Sequence, residues 1–336
     1  MAAVVFRHFH HCVPLLLPAP HSLPSLSPLC SIPSPSSRPR TRAFSVSSSS
    51  SHASSPMDHS QKFMEFPFVS APHRDLMVDL VSMIETRLDS QLGPDTLPPD
   101  VKYYHNQSGT AQGTLHSRSG LSSSKVDFIL GSWLHCNLPT GGALNITSIS
   151  GYLKASTDAP NFLIELIRSS PTSLVLILDL PPRKDLILHS EYLKTFYEDT
   201  RLDSLRQTLF KLPEVQLYFS PQLFIRCVIS PTAIVIKIDT DAAGAGRIEE
   251  IIKDHISSAA KEALRIWLDQ CACGERTVGE EERTYLEKRD ELIKKRTIEI
   301  DLEKSLPRLF GPDVANRVIG VLREIYAVAD CIFRSN

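Results

Sequence analysis

The sequence predicts an α/β chain: a three-layer α/β/α sandwich with a central antiparallel sheet. Two patterns carry that expectation. Short strand-like runs follow one another with short connections through the middle of the chain, and amphipathic helical patterns flank them at both ends. With 336 residues, 42% of them hydrophobic and 22% charged, the chain can bury one large core or two modest ones.

Residues 1–55 stand apart from this plan. They contain no Asp or Glu, are dense in Ser and Pro, and carry Arg7, Arg38, Arg40 and Arg42. That is the composition of an organelle transit peptide, with a plain disordered tail as the alternative. A secretory signal would need one continuous apolar core, whereas here His and Pro interrupt the apolar residues. Losing four arginines would move the net charge from −2 to about −6, so an acidic partner would have to meet a local basic patch. No apolar run reaches the roughly 18 residues needed to span a bilayer. Residues 56–336 are expected to form a single domain.

Along that domain, Leu76, Met77, Leu80, Val81, Ile84 and Leu88 recur at helical spacing and predict a helix over 73–92. Strand-like runs follow at 101–104, 125–138, 143–153, 161–168 and 174–180, separated by turn-type residues. Helical patterns at 190–198 and 202–211 come next, then strand-like runs at 223–229 and 233–238. Beyond Arg247 the pattern is helical almost throughout. Ile248, Ile251, Ile252, Ile256, Ala260, Ala263 and Leu264 trace one apolar face, and Val314, Val318, Val321, Leu322 and Ile325 trace another.

Few cofactor motifs are candidates. Gly244 and Gly246 follow a strand and precede a helix, but position 249 is Glu where a dinucleotide fingerprint needs its third glycine, so a connecting loop is the better reading. The seven cysteines are scattered, and Cys271-Ala272-Cys273 lacks the spacing and second ligand pair of a structural zinc site. There is no G-x4-G-K-[ST], H-E-x-x-H or G-x-S-x-G motif and no nucleic-acid module.

One charge is oddly placed. In Asn161-Phe162-Leu163-Ile164-Glu165-Leu166-Ile167-Arg168, strand alternation sets Glu165 on the face of Leu163 and Ile167. A carboxyl held there is desolvated, its pKa rises, and it can remain protonated as a proton donor. An edge strand whose Glu reaches solvent or an arginine is the alternative. Asp301, within Thr297-Ile298-Glu299-Ile300-Asp301-Leu302-Glu303, reads on statistics alone as a solvated helix-end carboxylate. Trp133 and His135 share a strand face, as a pocket wall or as core. Tyr218-Phe219-Ser220-Pro221 is an aromatic loop that either covers a flat ligand or tethers itself to the core. Arg183-Lys184 and Lys294-Lys295-Arg296 are either steering patches for an acidic partner or solvated faces.

Four segments together resemble the plant red chlorophyll catabolite reductase family: Lys62-Phe63-Met64-Glu65-Phe66-Pro67, Val126-Asp127-Phe128-Ile129-Leu130-Gly131-Ser132-Trp133-Leu134-His135-Cys136, Leu144-Asn145-Ile146-Thr147-Ser148-Ile149-Ser150-Gly151, and Leu174-Val175-Leu176-Ile177-Leu178-Asp179-Leu180-Pro181. The resemblance runs from about residue 62 to about 328 and thins around 242–246 and 271–279. It implies the fold of ferredoxin-dependent bilin reductases. It also implies reduction of the C20/C1 double bond of red chlorophyll catabolite to the primary fluorescent chlorophyll catabolite, in the chlorophyll breakdown of senescence. Reduced ferredoxin would be the external electron donor, with no bound cofactor or metal.

The same resemblance makes Glu165 and Asp301 the functional carboxyls, Tyr218, Phe219 and Ser220 a substrate-contacting loop, and Ile229 a pocket residue bearing on product stereochemistry. It implies a homodimer in the chloroplast stroma, with mitochondria open as a second location and other chlorophyll-breakdown enzymes as further partners. Two competing readings remain at this point. One is a sister bilin reductase acting on a haem-derived bilin. The other is a protein that only binds or sequesters a tetrapyrrole and needs neither carboxyl.

Overall fold

In the computed structural model, residues 66–328 are described, apart from 140 and 242. The expected leader at 1–55 therefore lies outside the described residues, as do residues 62–65 of the first resembling segment.

Eight strands form one sheet, and every neighbouring pair is antiparallel. Strands β1 (Tyr103–His105), β2 (Ala111–Ser119), β3 (Val126–Asn137), β4 (Ala143–Leu153), β5 (Phe162–Ser170) and β6 (Ser173–Asp179) run as a meander. The chain then leaves the sheet through α3 (Ser190–Leu193) and α4 (Leu202–Leu209). It returns as the edge strand β7 (Val215–Leu217), crosses α5 (Leu223–Val228), and inserts β8 (Ile234–Asp239) between β6 and β7.

Helices cover both faces, which is why β5 and β6 read as nearly unbroken apolar runs rather than as alternation. On β5, Ile164 and Leu166 enter one core, while Leu163 and Ile167 enter the other. The first core is closed by α1 (Ala71–Leu88), α6 (Ala245–Ile251) and α7 (Ser257–Ile266), through Leu76, Leu80, Ile84, Ile248, Ile251 and Leu264. The second is closed by α5, α8 (Glu280–Thr297), α9 (Glu303–Phe310), α10 (Pro312–Ile325) and the turn between α8 and α9, through Val228, Ile298, Leu306, Val318 and Leu322. A short α2 (Pro99–Lys102) precedes β1. Gly311, at φ +78°, ends α9 and turns the chain into α10, whose first residue Pro312 needs no helical hydrogen bond. Among the described residues no helix is long and apolar enough to cross a membrane.

The expected layers are present, with local corrections. The run at 223–229 is a helix, α5, not a strand. Ile225 and Val228 are buried at i, i+3 spacing while Leu223 and Cys227 face outward, and so short an apolar run fits either period by composition. Of the expected strand at 101–104, Val101 belongs to α2 and only the tyrosines pair. Strands β2 and β7 went unread. β2 is polar and contains Gly113, whose missing side chain leaves room for the Tyr104 ring, since a Cβ there would sit 2.3 Å from it. β7 is only three residues long.

Candidate active site

Glu165 sits mid-strand on β5. Its cross-strand row runs Ser132, Ser148, Glu165, Ile177, Val235, all on the face covered by α8 to α10. Two short serine side chains therefore flank it on one side and two apolar ones on the other. Glu165 is 0% exposed, and among the described residues neither carboxyl oxygen has a hydrogen-bond partner. Burial, and then the charge of Asp301, push its pKa well above the ordinary glutamate value. The edge-strand alternative fails, because β5 lies between β4 and β6 with the carboxyl turned inward.

Asp301 arrives from the opposite layer. The helical ladder between α8 and α9 widens into a π-turn at Ile298–Leu302, and Asp301 is carried on it, 1% exposed. Its Oδ1 accepts a hydrogen bond from Ser305 Oγ at 3.3 Å, while Oδ2 has no partner among the described residues. Burial again raises the pKa well above the usual aspartate value. Its solvated reading from the sequence is thereby corrected: helix-end statistics apply where a helix frays into water, and here the chain continues into α9 against the sheet.

Tyr218 is half-buried against the same core, and its phenol pKa is raised by burial and by the charge of Glu165. Ser220 is buried and its Oγ accepts from the Gln222 backbone N–H at 3.2 Å. Phe219 points away, 68% exposed. Ile229, half-buried, follows α5 and packs on the core that holds Glu165. The next residue, Ser230, donates its backbone N–H and its hydroxyl to the two carboxyl oxygens of Asp179, at 3.0 and 2.5 Å. Burial raises Asp179 to about 6, against the lowering effect of those hydrogen bonds.

Two residues near this centre carry no expectation from the sequence reading. Asp179 could have been found by the alternation that marks Glu165, since it shares a face with Val175 and Ile177. Tyr326, at the end of α10, has its pKa raised by burial and then by the charges of Asp301 and Glu165, and its ring packs at a tilt against Phe128 and Tyr152. It ends an apolar helical stripe and reads as ordinary core.

Other candidates lie elsewhere. Trp133 and His135 face the opposite layer: Trp133 packs edge-on to Phe66, and His135 stacks on Phe68 with Asn145 Oδ1 2.8 Å from Nδ1. They are core on the sheet face turned away from Glu165. Arg183 is no steering charge, because it is fully buried on Asp290 and the carbonyls of Lys154 and Thr157. Lys184 pairs with Glu282 and Asp158, and Lys294 with Asp127. Of the second basic group, Arg296 is exposed and pairs with Glu299. The glycine loop is a turn closed by Gly244 N–H to the Thr240 carbonyl at 2.7 Å. Among the described residues no three His, Cys, Asp or Glu side chains converge on a metal position.

A sequence profile of red chlorophyll catabolite reductase (RCC reductase) matches residues 72–324, three quarters of the chain and all of the layers that build this site. The chain belongs to the red chlorophyll catabolite reductase family. It is 52% identical over 309 residues to the chloroplastic red chlorophyll catabolite reductase of Arabidopsis thaliana, covering 90% of this chain and 94% of that one. It is 44% identical over 264 residues to the chloroplastic red chlorophyll catabolite reductase 1 of Oryza sativa subsp. japonica, covering 78% and 80%. The red chlorophyll catabolite reductase of Hordeum vulgare matches over its whole length at 47% identity, covering 61% of this chain. Among solved structures, phytochromobilin synthase from tomato in complex with biliverdin superposes with a TM-score of 0.57 at 16% identity, over 76% of this chain and 82% of that one. At that identity the likeness speaks for the fold. The α/β/α sandwich of this reductase family is thus the bilin-reductase architecture.

Proposed function

We propose that this chain reduces red chlorophyll catabolite to its fluorescent product in chlorophyll breakdown, inside the chloroplast, with Glu165 and Asp301 as the proton sources. The observation that carries the reading is the pair itself. In a member of this family, two buried carboxyls from different layers share one site, each with a free oxygen and a pKa raised by desolvation.

The reaction needs two electrons and two protons. A linear conjugated tetrapyrrole accepts electrons one at a time, and reduced ferredoxin is the external donor this reading assigns. The protein's share is to hold the flat substrate and to keep a proton at Glu165 and at Asp301 until the ring system takes it. A carboxyl whose pKa is raised by burial holds its proton to higher pH than an exposed one and so keeps a proton to give. The apolar surroundings also shield a half-reduced substrate from solvent. Tyr218, Ser220 and Ile229 line this volume in the proposal, and Phe219, turned outward, would fold in over bound substrate. Residues 1–55 would direct import, a role supported by the chloroplastic names of the Arabidopsis and rice relatives.

Anaerobic incubation of the chain with red chlorophyll catabolite and a reduced-ferredoxin supply tests this. Loss of red absorbance with gain of blue fluorescence, dependent on ferredoxin, is the expected result. Tight binding without product would instead make this a sequestering protein and leave Glu165 and Asp301 as ligand contacts.

A further inference from the structure

One positive charge on α8 is left without a counter-charge. Three and four residues on either side of Arg289 stand Tyr285, Leu286, Leu292 and Ile293, so no acid is placed to pair with it along the helix. Other cations of α8 are better provided: Arg283 pairs with Glu280, Lys294 with Asp127, and Lys295 and Arg296 with Glu299. Arg289 is half-buried and makes no ion pair or hydrogen bond among the described residues.

It lines instead a narrow slot between β5 and the helices α5 and α8. Tyr152, Asn161, Leu163, Val228 and Ile293 line the slot with it, and no carboxylate does. Asn161 is buried, and its Oδ1 accepts the Leu153 backbone N–H at 2.9 Å, which leaves the amide NH2 as its remaining donor. Leu163 shares a strand face with Glu165, two residues or about 7 Å away along β5. On β4, Ser150 and Ser148 stand opposite these two in the same register. Val228 precedes Ile229, and Ile293 lies on the helix that leads into the turn of Asp301. The slot therefore continues the layer that holds the carboxyl pair. Its volume of about 10 Å³ has room for about one water molecule, so it admits the tip of a substituent and no ring.

We propose that this slot is a carboxylate subsite, in which Arg289, aided by the Asn161 amide, receives the carboxylate of an acidic side chain on the tetrapyrrole. Held there, the substrate is fixed in register against Glu165. The assignment rests on the reductase reading. A guanidinium offers a carboxylate two parallel N–H groups, and such a pair is stronger when partly desolvated than in open water. An acidic lining would repel the incoming group, and an arginine already paired would have to give up its partner. The slot presents neither obstacle. Arg289 binds and positions; it moves no proton, and no bond forms or breaks at it.

Arg289→Ala and Arg289→Lys in the full chain test this, with red chlorophyll catabolite and its form esterified at the side-chain carboxyl as probes. Binding is followed by absorbance titration without ferredoxin, and turnover is measured with it. Wild type is expected to bind the acid at least about tenfold more tightly than the ester. R289A should bind the two probes equally, with KM for the acid raised by about the same factor and kcat within about threefold of wild type. R289K should recover part of the preference, since it restores the charge without the fork. Equal binding of acid and ester by wild type would overturn the subsite with no variant at all. An equal weakening of both probes in R289A would overturn it too, by making the effect one of helix packing. So would a loss seen only as a higher requirement for ferredoxin, which would put Arg289 on the donor's docking face. Titration needs no turnover: a wild type that makes no product sinks the reductase reading, whereas turnover without a preference for the acid sinks the subsite alone.

Discussion

Glu165, in the middle of β5, is buried beneath the π-turn between α8 and α9 that carries Asp301, and burial, followed by the charge of Asp301, raises its pKa. Among the described residues neither carboxyl has an ion-pair partner, and neither is placed where folding alone would favour it. Pairs of desolvated carboxyls with raised pKa values cluster where acid chemistry is needed. Glu165→Gln and Asp301→Asn keep shape and remove the titrating group. Each is expected to lower the rate of product formation by about 10²- to 10⁴-fold, with substrate binding, followed by absorbance titration, retained.

The same two groups cost stability. A raised pKa means the folded chain holds the proton more tightly than the unfolded chain. The favourable contribution is therefore complete at pH values below the unfolded pKa and is lost as pH climbs through the folded one. Replacing Glu165 with Leu removes two unpartnered buried oxygens. Urea unfolding at pH 8 is expected to show E165L more stable than wild type by about 1–3 kcal/mol, with a flatter dependence on alkaline pH and no turnover.

Glu165 was legible because strand alternation is a strict period and a lone carboxyl breaks it visibly. Asp301 was legible only through resemblance. A π-turn inserts into a helix without disturbing the local composition, so Thr297 to Glu303 looks like one more solvated helical turn. The meander itself could be read because β3 to β6 are long and apolar. α5 could not be told from a strand, since only its neighbours decide which side of Leu223 to Val228 is buried. Arg289 matters through the slot it lines, and that is a property of packing.

Asp179 offers a cleaner pH test than the catalytic candidates. Its folded pKa of about 6 exceeds the ordinary aspartate value of 3.8, so its stabilising effect is full below about pH 4 and is lost as pH rises through 6. Asp179→Asn is expected to remove a slope of at most about 1.4 kcal/mol per pH unit from the stability profile between those limits. Because Asp179 holds Ser230 beside Ile229, D179N should also change the isomer ratio of the product at pH 8 more than at pH 5. Chiral chromatography of the product would read this out, and an unchanged ratio would confine Asp179 to a structural role.

His73 acts with the opposite sign. It is buried on α1 with Thr147 Oγ1 2.7 Å from its Nε2, and burial lowers its pKa from 6.5 to about 3, with the Arg168 charge adding to the effect. Its contribution is present above pH 6.5 and is lost as pH falls toward 3, because the unfolded chain takes up the proton first. His73→Gln keeps a partner for Thr147 without titrating in that range. The acid limb of the stability curve is expected to lose about one proton's slope, and an unchanged limb would place the acid sensitivity elsewhere.

Arg183 and Asp290 fasten α8 to the sheet, and α8 leads directly into the π-turn. Arg183 Nε lies 3.1 Å from Asp290 Oδ2, and its Nη1 donates to the Thr157 carbonyl at 2.7 Å. Arg183→Met strands a carboxylate and backbone carbonyls in the interior, and a loss of about 3–5 kcal/mol is expected by denaturant unfolding. Adding Asp290→Leu removes the stranded charge and should return part of that loss, so the coupling energy can be separated from the cost of a lone buried ion. If the clamp also sets where Asp301 stands, the double variant will recover stability without recovering its turnover rate at saturating substrate. Recovery of both together would show that the helix finds its place without the clamp, and that the widened turn alone positions the carboxyl.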